Sequence, residues 1–267
     1  TGKVYTKSST DSDKFRETID WIEIALQRIQ REIDNLDQKA DNVYKSWGSR
    51  NTALANQINK VGSEIALQKK AANEYLKAAN GVSLPSSWKK KVQKGKIDIE
   101  TIKDEAIAEK VKDYQSYYES YLDCIDAVEE LKETEASLYA QRFENVQAQY
   151  DGILQGYEHT ETMLNEYISQ AEEQGHIVST KYYQALINNE KKNINTLKDE
   201  QAALIAERDK AVADGKITKY SEEWYNMCQE IDGVTEAIEE GTTALIEYDN
   251  AIRDIDWQKF DLVQDRM

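Results

Sequence analysis

This sequence is short of the two residues that interrupt α-helices. It contains one proline and eleven glycines in 267 residues, below the usual shares of about 5% and about 7%. Proline and glycine are the residues that helix interiors tolerate least. Their scarcity therefore predicts a chain that is mostly helical.

Cysteine and histidine are also scarce, with two of each in the chain. Cys124 and Cys228 lie far apart and form no CxxC pattern, so we expect two reduced thiols and no disulfide. One Glu-x-x-His pair, Glu173 and His176, encloses Gly175 and is typical of a polar helix end rather than of a metal site. Two histidines allow no Ser-His-Asp set. We therefore expect no catalytic residue, no cofactor and no bound metal.

Long apolar runs and an excess of positive charge are missing as well. No stretch approaches the roughly 20 apolar residues that span a bilayer, and the first residues lack the apolar core of a signal peptide. The net charge of −16 argues against general binding to nucleic acid or to anionic membranes. One local cluster of positive charge is an exception, and it is either a solvated turn or a contact with an anionic partner. It consists of Lys89, Lys90, Lys91, Lys94 and Lys96.

What the sequence does contain is a long apolar stripe. From Ile19 to Ala79 apolar or small residues recur in steps of three and four, as one side of an α-helix requires. A step of eleven residues from Trp47 to Ile58 equals three helical turns, so we expect the helix to continue through it. Such a helix would measure roughly 90 Å. The pattern predicts an elongated rod.

Glycines divide the remaining chain into further helices. Gly81, Gly175 and Gly215 each follow the last residue of a periodic stretch, where glycine usually ends a helix. We expect a flexible segment at 1–12, a long helical hairpin at 13–174 with a short-helix connection near 81–104, and a second hairpin at 175–267. The predicted fold class is all-α, built of elongated antiparallel hairpins or a coiled coil with very long helices.

The residues that matter in this interpretation are those of the helix-packing stripes. In the second hairpin, Ile231 and Leu245 should both be buried, and Glu207 should face solvent. The acidic run from Asp123 to Glu133 is expected to be a solvated face. The packing residues predicted along the whole chain are Ile22, Ile29, Ile33, Trp47, Tyr114, Ile125, Phe143, Ile187, Ile194, Trp224, Ile231, Leu245 and Ile252.

Two stretches, Ile19–Asp37 and Ala251–Arg266, resemble tail tape-measure proteins of long-tailed bacteriophages and prophages of Gram-positive bacteria. Val43–Trp47 and the region around Trp224 and Met227 are similar too. The triplet Ile19-Asp20-Trp21 recurs at residues 255–257, so we expect the chain to be part of a longer protein.

This resemblance implies a virion structural protein without enzymatic activity. Its helical length would set the length of the tail, and it would occupy the tail tube after assembly in the bacterial cytoplasm. The implied partners are tail-tube and tail-assembly proteins and other coiled-coil chains, including copies of itself, but no specific nucleic acid and no membrane. The alternative function is a cytoplasmic coiled-coil scaffold or adaptor, which the residues alone do not distinguish from a tape measure.

Overall fold

A computed structural model describes residues 11–42 and 46–264 of the chain, and the predicted flexible segment at 1–12 lies almost wholly outside them. The described part is all-α, as predicted, and a short 3-10 helix at Ile99–Thr101 precedes the longest helix. The helices in chain order are α1 (Asp11–Ala40), α2 (Trp47–Gly81), α3 (Ser86–Gln93), α4 (Glu105–Glu173), α5 (Thr180–Ala213) and α6 (Glu222–Gln264).

The expectation of one unbroken helix from Ile19 to Ala79 is wrong. The chain leaves the helix after Ala40 and starts α2 at Trp47, where Ser46 caps the new helix by accepting a hydrogen bond from the Ser49 amide. A single helix would leave its apolar stripe in water, whereas α1 and α2 pack against each other and bury their stripes. The step of eleven residues therefore marks a break between two helices.

The two helices of this hairpin are antiparallel. Near the turn, Arg50 Nε donates to the Ala40 carbonyl at 2.7 Å. Farther from the turn, Lys60 pairs with Glu32, and farther still the Lys70 ammonium lies 4.6 Å from the centre of the Trp21 ring. Partners thus descend along α1 as they ascend along α2.

Three helices, α3, α4 and α5, end in the same way, with a glycine in the left-handed conformation. At the end of α5, Gly215 has φ +67°, its amide donates to the Val212 carbonyl, and the Lys216 amide donates to the Ala211 carbonyl. This pair of bonds satisfies carbonyls that the helix end leaves free. Gly95 and Gly175 repeat the arrangement, so the glycines predicted to end α4 and α5 do so.

The chain divides into two compact units inside α4, at Leu138 and Tyr139, whereas the predicted domains were divided at 174 and 175, in the turn between α4 and α5. The first unit holds α1, α2, α3 and the first half of α4. One of its clusters joins Ile22 of α1 to Ala71 and Ala72 of α2 and to Cys124 of α4. Burial raises the pKa of the Cys124 thiol, and neither cysteine is in a disulfide.

The second unit is a three-helix bundle of the second half of α4 with α5 and α6. Its apolar cluster combines Ile168, Val178, Leu186 and Ile255. The α5 and α6 helices form the predicted hairpin. In the described residues, no helix is apolar over a long enough stretch to cross a membrane.

Candidate functional site

Most predicted packing residues lie in the helix interfaces. The buried ones are Ile22, Ile33, Tyr114, Phe143, Ile187, Ile194 and Ile231, and the half-buried ones are Ile29, Ile125, Trp224, Leu245 and Ile252. Trp47 is 37% exposed, with the Arg50 guanidinium carbon 4.9 Å from its ring centre. It lies outside the packed faces because it is the first residue of α2, immediately after the break that the sequence did not predict.

A groove of about 510 Å³ runs along the second unit between α4, α5 and α6. We call it the acidic groove, because its lining includes five carboxylates and, among the described residues, no lysine or arginine. Amide and small apolar side chains complete its walls. The carboxylates are Asp151, Glu158, Glu161, Glu190 and Glu240.

Glu190 is buried where α5 approaches a glycine of α6. A Cβ atom placed on Gly241 would collide with Glu190 Oε1 and lie 3.0 Å from Ile194 Cγ1. Asn193 donates a 3.2 Å hydrogen bond to the same Glu190 oxygen. Burial raises the pKa of Glu190, and the charge of Glu161 adds to that rise. The missing side chain at Gly241 therefore makes the space that this buried carboxyl group occupies.

Near Glu190, a tyrosine of α6 joins this helix to α4. The Tyr248 hydroxyl donates to Glu161 Oε1 at 2.6 Å. Burial, followed by this hydrogen bond, raises the pKa of Tyr248 well above its ordinary value, so the hydroxyl keeps its proton at neutral pH. Asn189 donates to the Tyr157 carbonyl at 2.9 Å. These contacts fix α5 and α6 against α4 through polar groups.

Glu200, three turns along α5 from Glu190, is only 2% exposed. Its Oε2 atom is buried without a hydrogen-bond partner. Burial, followed by the charge of Asp151, raises the pKa of Glu200 to about 7. A buried carboxyl group in this environment is most stable in its neutral form, so Glu200 gains and loses its proton near neutral pH.

The first unit contains a similar arrangement. Glu135 of α4 is buried, and its Oε1 lies 3.6 Å from where a Cβ on Gly62 of α2 would be. Glu64, also on α2, is buried; burial raises its pKa, with a further rise from the charge of Asp34. Both units therefore place glutamates inside helix interfaces, beside a glycine on the facing helix.

Sequence reasoning missed these glutamates, although α5 carries a signal for them. The stripe runs Ile187, Ile194, Leu197, Leu204, so two of its steps are seven residues long. On one face of a helix a residue recurs every three or four positions, so each step of seven contains one more residue that packs on that face. Those residues are Glu190 and Glu200. A gap of two turns in an otherwise regular stripe, filled by glutamate, was the available sign of a buried carboxyl group.

Glu207 was also placed wrongly, since in the structure it is half-buried against α4. Arg142 Nη2 lies 2.5 Å from Glu207 Oε1, and the two side chains are 12% and 16% exposed. Arg142 Nε and Glu207 Oε2 are buried without hydrogen-bond partners. The spacing of apolar residues along α5 identifies the face that packs against α6. Glu207 instead faces α4, the third helix of the bundle.

The ionisation of Glu200 makes the stability of the second unit depend on pH. Its pKa is about 7 in the folded chain and about 4.3 in an unfolded one. Ionisation therefore costs the folded state nothing below about pH 4, costs more as the pH rises, and has its full cost above about pH 7. That cost is about 4 kcal/mol at most.

We expect Glu200→Gln to raise the free energy of unfolding relative to the unmodified protein at pH 8, with the advantage shrinking as the pH falls to 5. Urea unfolding of both proteins at each pH measures the difference, which cancels the effects of other carboxylates. Glu222→Gln, at an exposed position, is the matched control and should show little pH-dependent difference. An advantage for Glu200→Gln that stays constant from pH 5 to pH 8 would contradict the assignment.

The acidic groove is lined by carboxyl groups, and no histidine, cysteine or serine stands among its described lining residues. Within residues 11–42 and 46–264, no three His, Cys, Asp or Glu side chains are grouped so that they could hold a metal ion. His159 and His176 are both exposed. A lone carboxyl group with a raised pKa is found in structural interfaces as well as in active sites. The arrangement here joins helices and responds to pH.

A second surface of distinct charge is formed by α3 and the turn after it, which together hold the five lysines noted above. Trp88 packs against the apolar cluster of Ala79, Leu84, Val92, Val111 and Tyr114, which anchors α3 to the first unit. Lys89 donates to the Asn80 carbonyl at 3.2 Å. Among the described residues, none of the five lysines forms an ion pair with a carboxylate.

No protein-family model matches this chain, and neither does any curated protein or solved structure.

Proposed function

We propose that this chain is a non-enzymatic structural protein, a segment of a phage tail tape-measure protein. In this role the helical segment sets the length of the tail and occupies the tail tube. The observation that carries the proposal is α4, a single helix of 69 residues shared by two helical bundles. Helices in globular proteins average about 10–14 residues, so a helix of this length favours a function that depends on length.

The polar interior of the bundles is compatible with this role. Buried glutamates, glycines and the ion pair between Arg142 and Glu207 replace part of the apolar packing that a maximally stable bundle would have. Buried ionic groups seldom add net stability compared with apolar residues of the same volume. Helices joined in this way can separate at a smaller free-energy cost. This suits a tape-measure protein, which, as the resemblance implies, leaves the tail tube ahead of the DNA at infection. The resemblance of Ile19–Asp37 and Ala251–Arg266 to tape-measure proteins supplies the phage context.

Tail length is the decisive measurement. In the phage that encodes this chain, one or two extra in-frame copies of residues 139–264 should lengthen the tail in two equal steps. Each added residue contributes up to about 1.5 Å if it adds helical length in the tube, so the step size also reports whether the bundle opens there. Electron microscopy of purified virions gives the distribution of lengths.

The control is Asp249→Ala, an exposed substitution that leaves the residue number unchanged and should leave tail length unchanged. Normal tails of unaltered length in both duplicated phages would contradict the tape-measure function. That result would favour the alternative, a coiled-coil scaffold or adaptor.

A further inference from the structure

We propose that the lysine surface of α3 binds the edge of the acidic groove of a second copy of this chain, so that the protein associates head to tail. At that edge four glutamates line up along α6: Glu236, Glu239, Glu240 and Glu247. This inference concerns an interface that is independent of the tape-measure proposal. The lysine surface is defined as Lys89, Lys90, Lys91, Lys94 and Lys96. These residues carry five positive charges within eight positions, and no acidic residue lies between Ser86 and Ile97.

Within the described part of the chain, the lysine surface has no carboxylate paired with it. Its exposed members are Lys90, Lys91, Lys94 and Lys96, which lie on α3 and in the turn that follows it. Lys90 and Lys91 are four and three residues from Lys94, spacings that place neighbours about 5–6 Å apart on a helix. The Lys91 ammonium lies 4.8 Å from the centre of the Trp88 ring, which holds that side chain close to the anchored helix. A cluster of like charges creates a positive potential that attracts an anionic surface.

The same chain carries the complementary surface. Beside the acidic groove, a shallow hollow of about 510 Å³ lies along α6 and is lined by Glu236, Glu239, Glu240 and Glu247. Glu240 belongs to both the hollow and the groove. Among the described residues, none of these four glutamates forms an ion pair. Spacings of three, four and seven residues put the four carboxylates in a row along one helix face.

A second copy is the occupant that the charges favour. The chain has 50 acidic residues and 34 basic ones, so another copy presents far more negative surface than positive. Nucleic acid and anionic lipid would also meet the lysines, but their negative charge is denser than that of another copy, which carries 34 basic residues among its acidic ones. The remainder of a chain whose net charge is −16 therefore repels them more strongly than it repels a second copy. Because the lysines and the groove are different surfaces, the contact is heterologous, and it can continue from copy to copy.

Net repulsion between two acidic chains determines how their association depends on salt concentration. At about 0.01 M salt the Debye length is about 30 Å, so the whole of each chain repels the other. Near 0.1 M it is about 10 Å, and long-range repulsion is screened more than the contacts between lysine and glutamate. At 1 M it is about 3 Å, and the contacts themselves are weakened. Association should therefore be strongest near 0.1 M.

Sedimentation equilibrium of the full chain tests this dependence. The two informative variants reverse charge at exposed positions. The first, called the acidic-α3 variant, carries Lys90→Glu, Lys91→Glu and Lys94→Glu, and the second, called the basic-groove variant, carries Glu236→Lys, Glu239→Lys and Glu240→Lys. Each alone should associate at least about tenfold more weakly than the unmodified chain. An equimolar mixture of the two should associate again, because each then carries what the other lacks.

A matched control reverses three other exposed carboxylates, Asp123→Lys, Asp126→Lys and Glu129→Lys. It changes the net charge by the same amount as the basic-groove variant, and it should not abolish association. Circular dichroism checks that every variant keeps its helical content.

Three outcomes would overturn the proposal. The unmodified chain could remain monomeric at all three salt concentrations. The mixture of the two charge-reversed variants could fail to associate. In the third outcome, the unmodified chain would bind duplex DNA or phosphatidylserine vesicles but would not self-associate, and the acidic-α3 variant would lose that binding. This outcome would assign the lysine surface to another partner.

Discussion

Replacing Glu207 by alanine should destabilise the second unit by about 3 kcal/mol or more. The substitution leaves the Arg142 guanidinium, whose side chain is 12% exposed, without its charged partner at 2.5 Å. A buried charge that has lost its partner keeps its desolvation cost and gains nothing in return. Urea unfolding followed by circular dichroism measures the loss, and hydrogen exchange of the α5 amides reports whether the loss lies in this unit.

Asp209→Ala is the control for that experiment. Asp209 also pairs with an arginine, Arg208, but its carboxylate is 62% exposed, so its loss should cost less than about 1 kcal/mol. A double substitution, Arg142→Met with Glu207→Leu, should recover most of the stability, because apolar residues of similar volume can replace a buried ion pair. Equally small losses for Glu207→Ala and Asp209→Ala would mean that Glu207 faces solvent, as its spacing alone predicted.

Leu204→Ala should cost about 3 kcal/mol, a value within the range for removing a fully buried leucine side chain. Leu204 of α5 is 0% exposed, so no surface rearrangement can easily fill the cavity. Leu262→Ala on α6 is the matched control, since Leu262 is 45% exposed and should change stability by about 0.5 kcal/mol or less. The same urea titration compares the two variants.

Ile231 and Leu245 refine this expectation. The sequence predicts the same loss for both, yet Ile231 is buried and Leu245 is half-buried. We therefore expect Ile231→Ala to lower the free energy of unfolding more than Leu245→Ala. If Leu204→Ala and Leu262→Ala instead gave the same small change, the second unit would not pack α5 as the structure describes.

Residue spacing alone predicted the helices of this chain and most of their ends. Gly81, Gly175 and Gly215 end helices where the sequence placed those ends. At Gly175 and Gly215 the end is a local event, because a glycine adopts positive φ at little cost wherever it lies. The break after Ala40 was missed because no proline or glycine marks it. There the gain from pairing α1 with α2 outweighs the cost of ending α1 at Ala40 and starting α2 at Trp47.

The amino-acid sequence by itself determined that this protein is helical, where apolar stripes run, and that a strongly acidic chain contains one cluster of lysines. Those properties depend on composition and on spacing within single helices. Only the tertiary structure decided which polar residues leave the solvent: Glu190 is buried beside Gly241, Glu200 is buried with one oxygen unpartnered, and Glu207 is half-buried against Arg142. The physical reason is that burial depends on a third helix, and the periodicity of one helix carries no information about where that third helix lies.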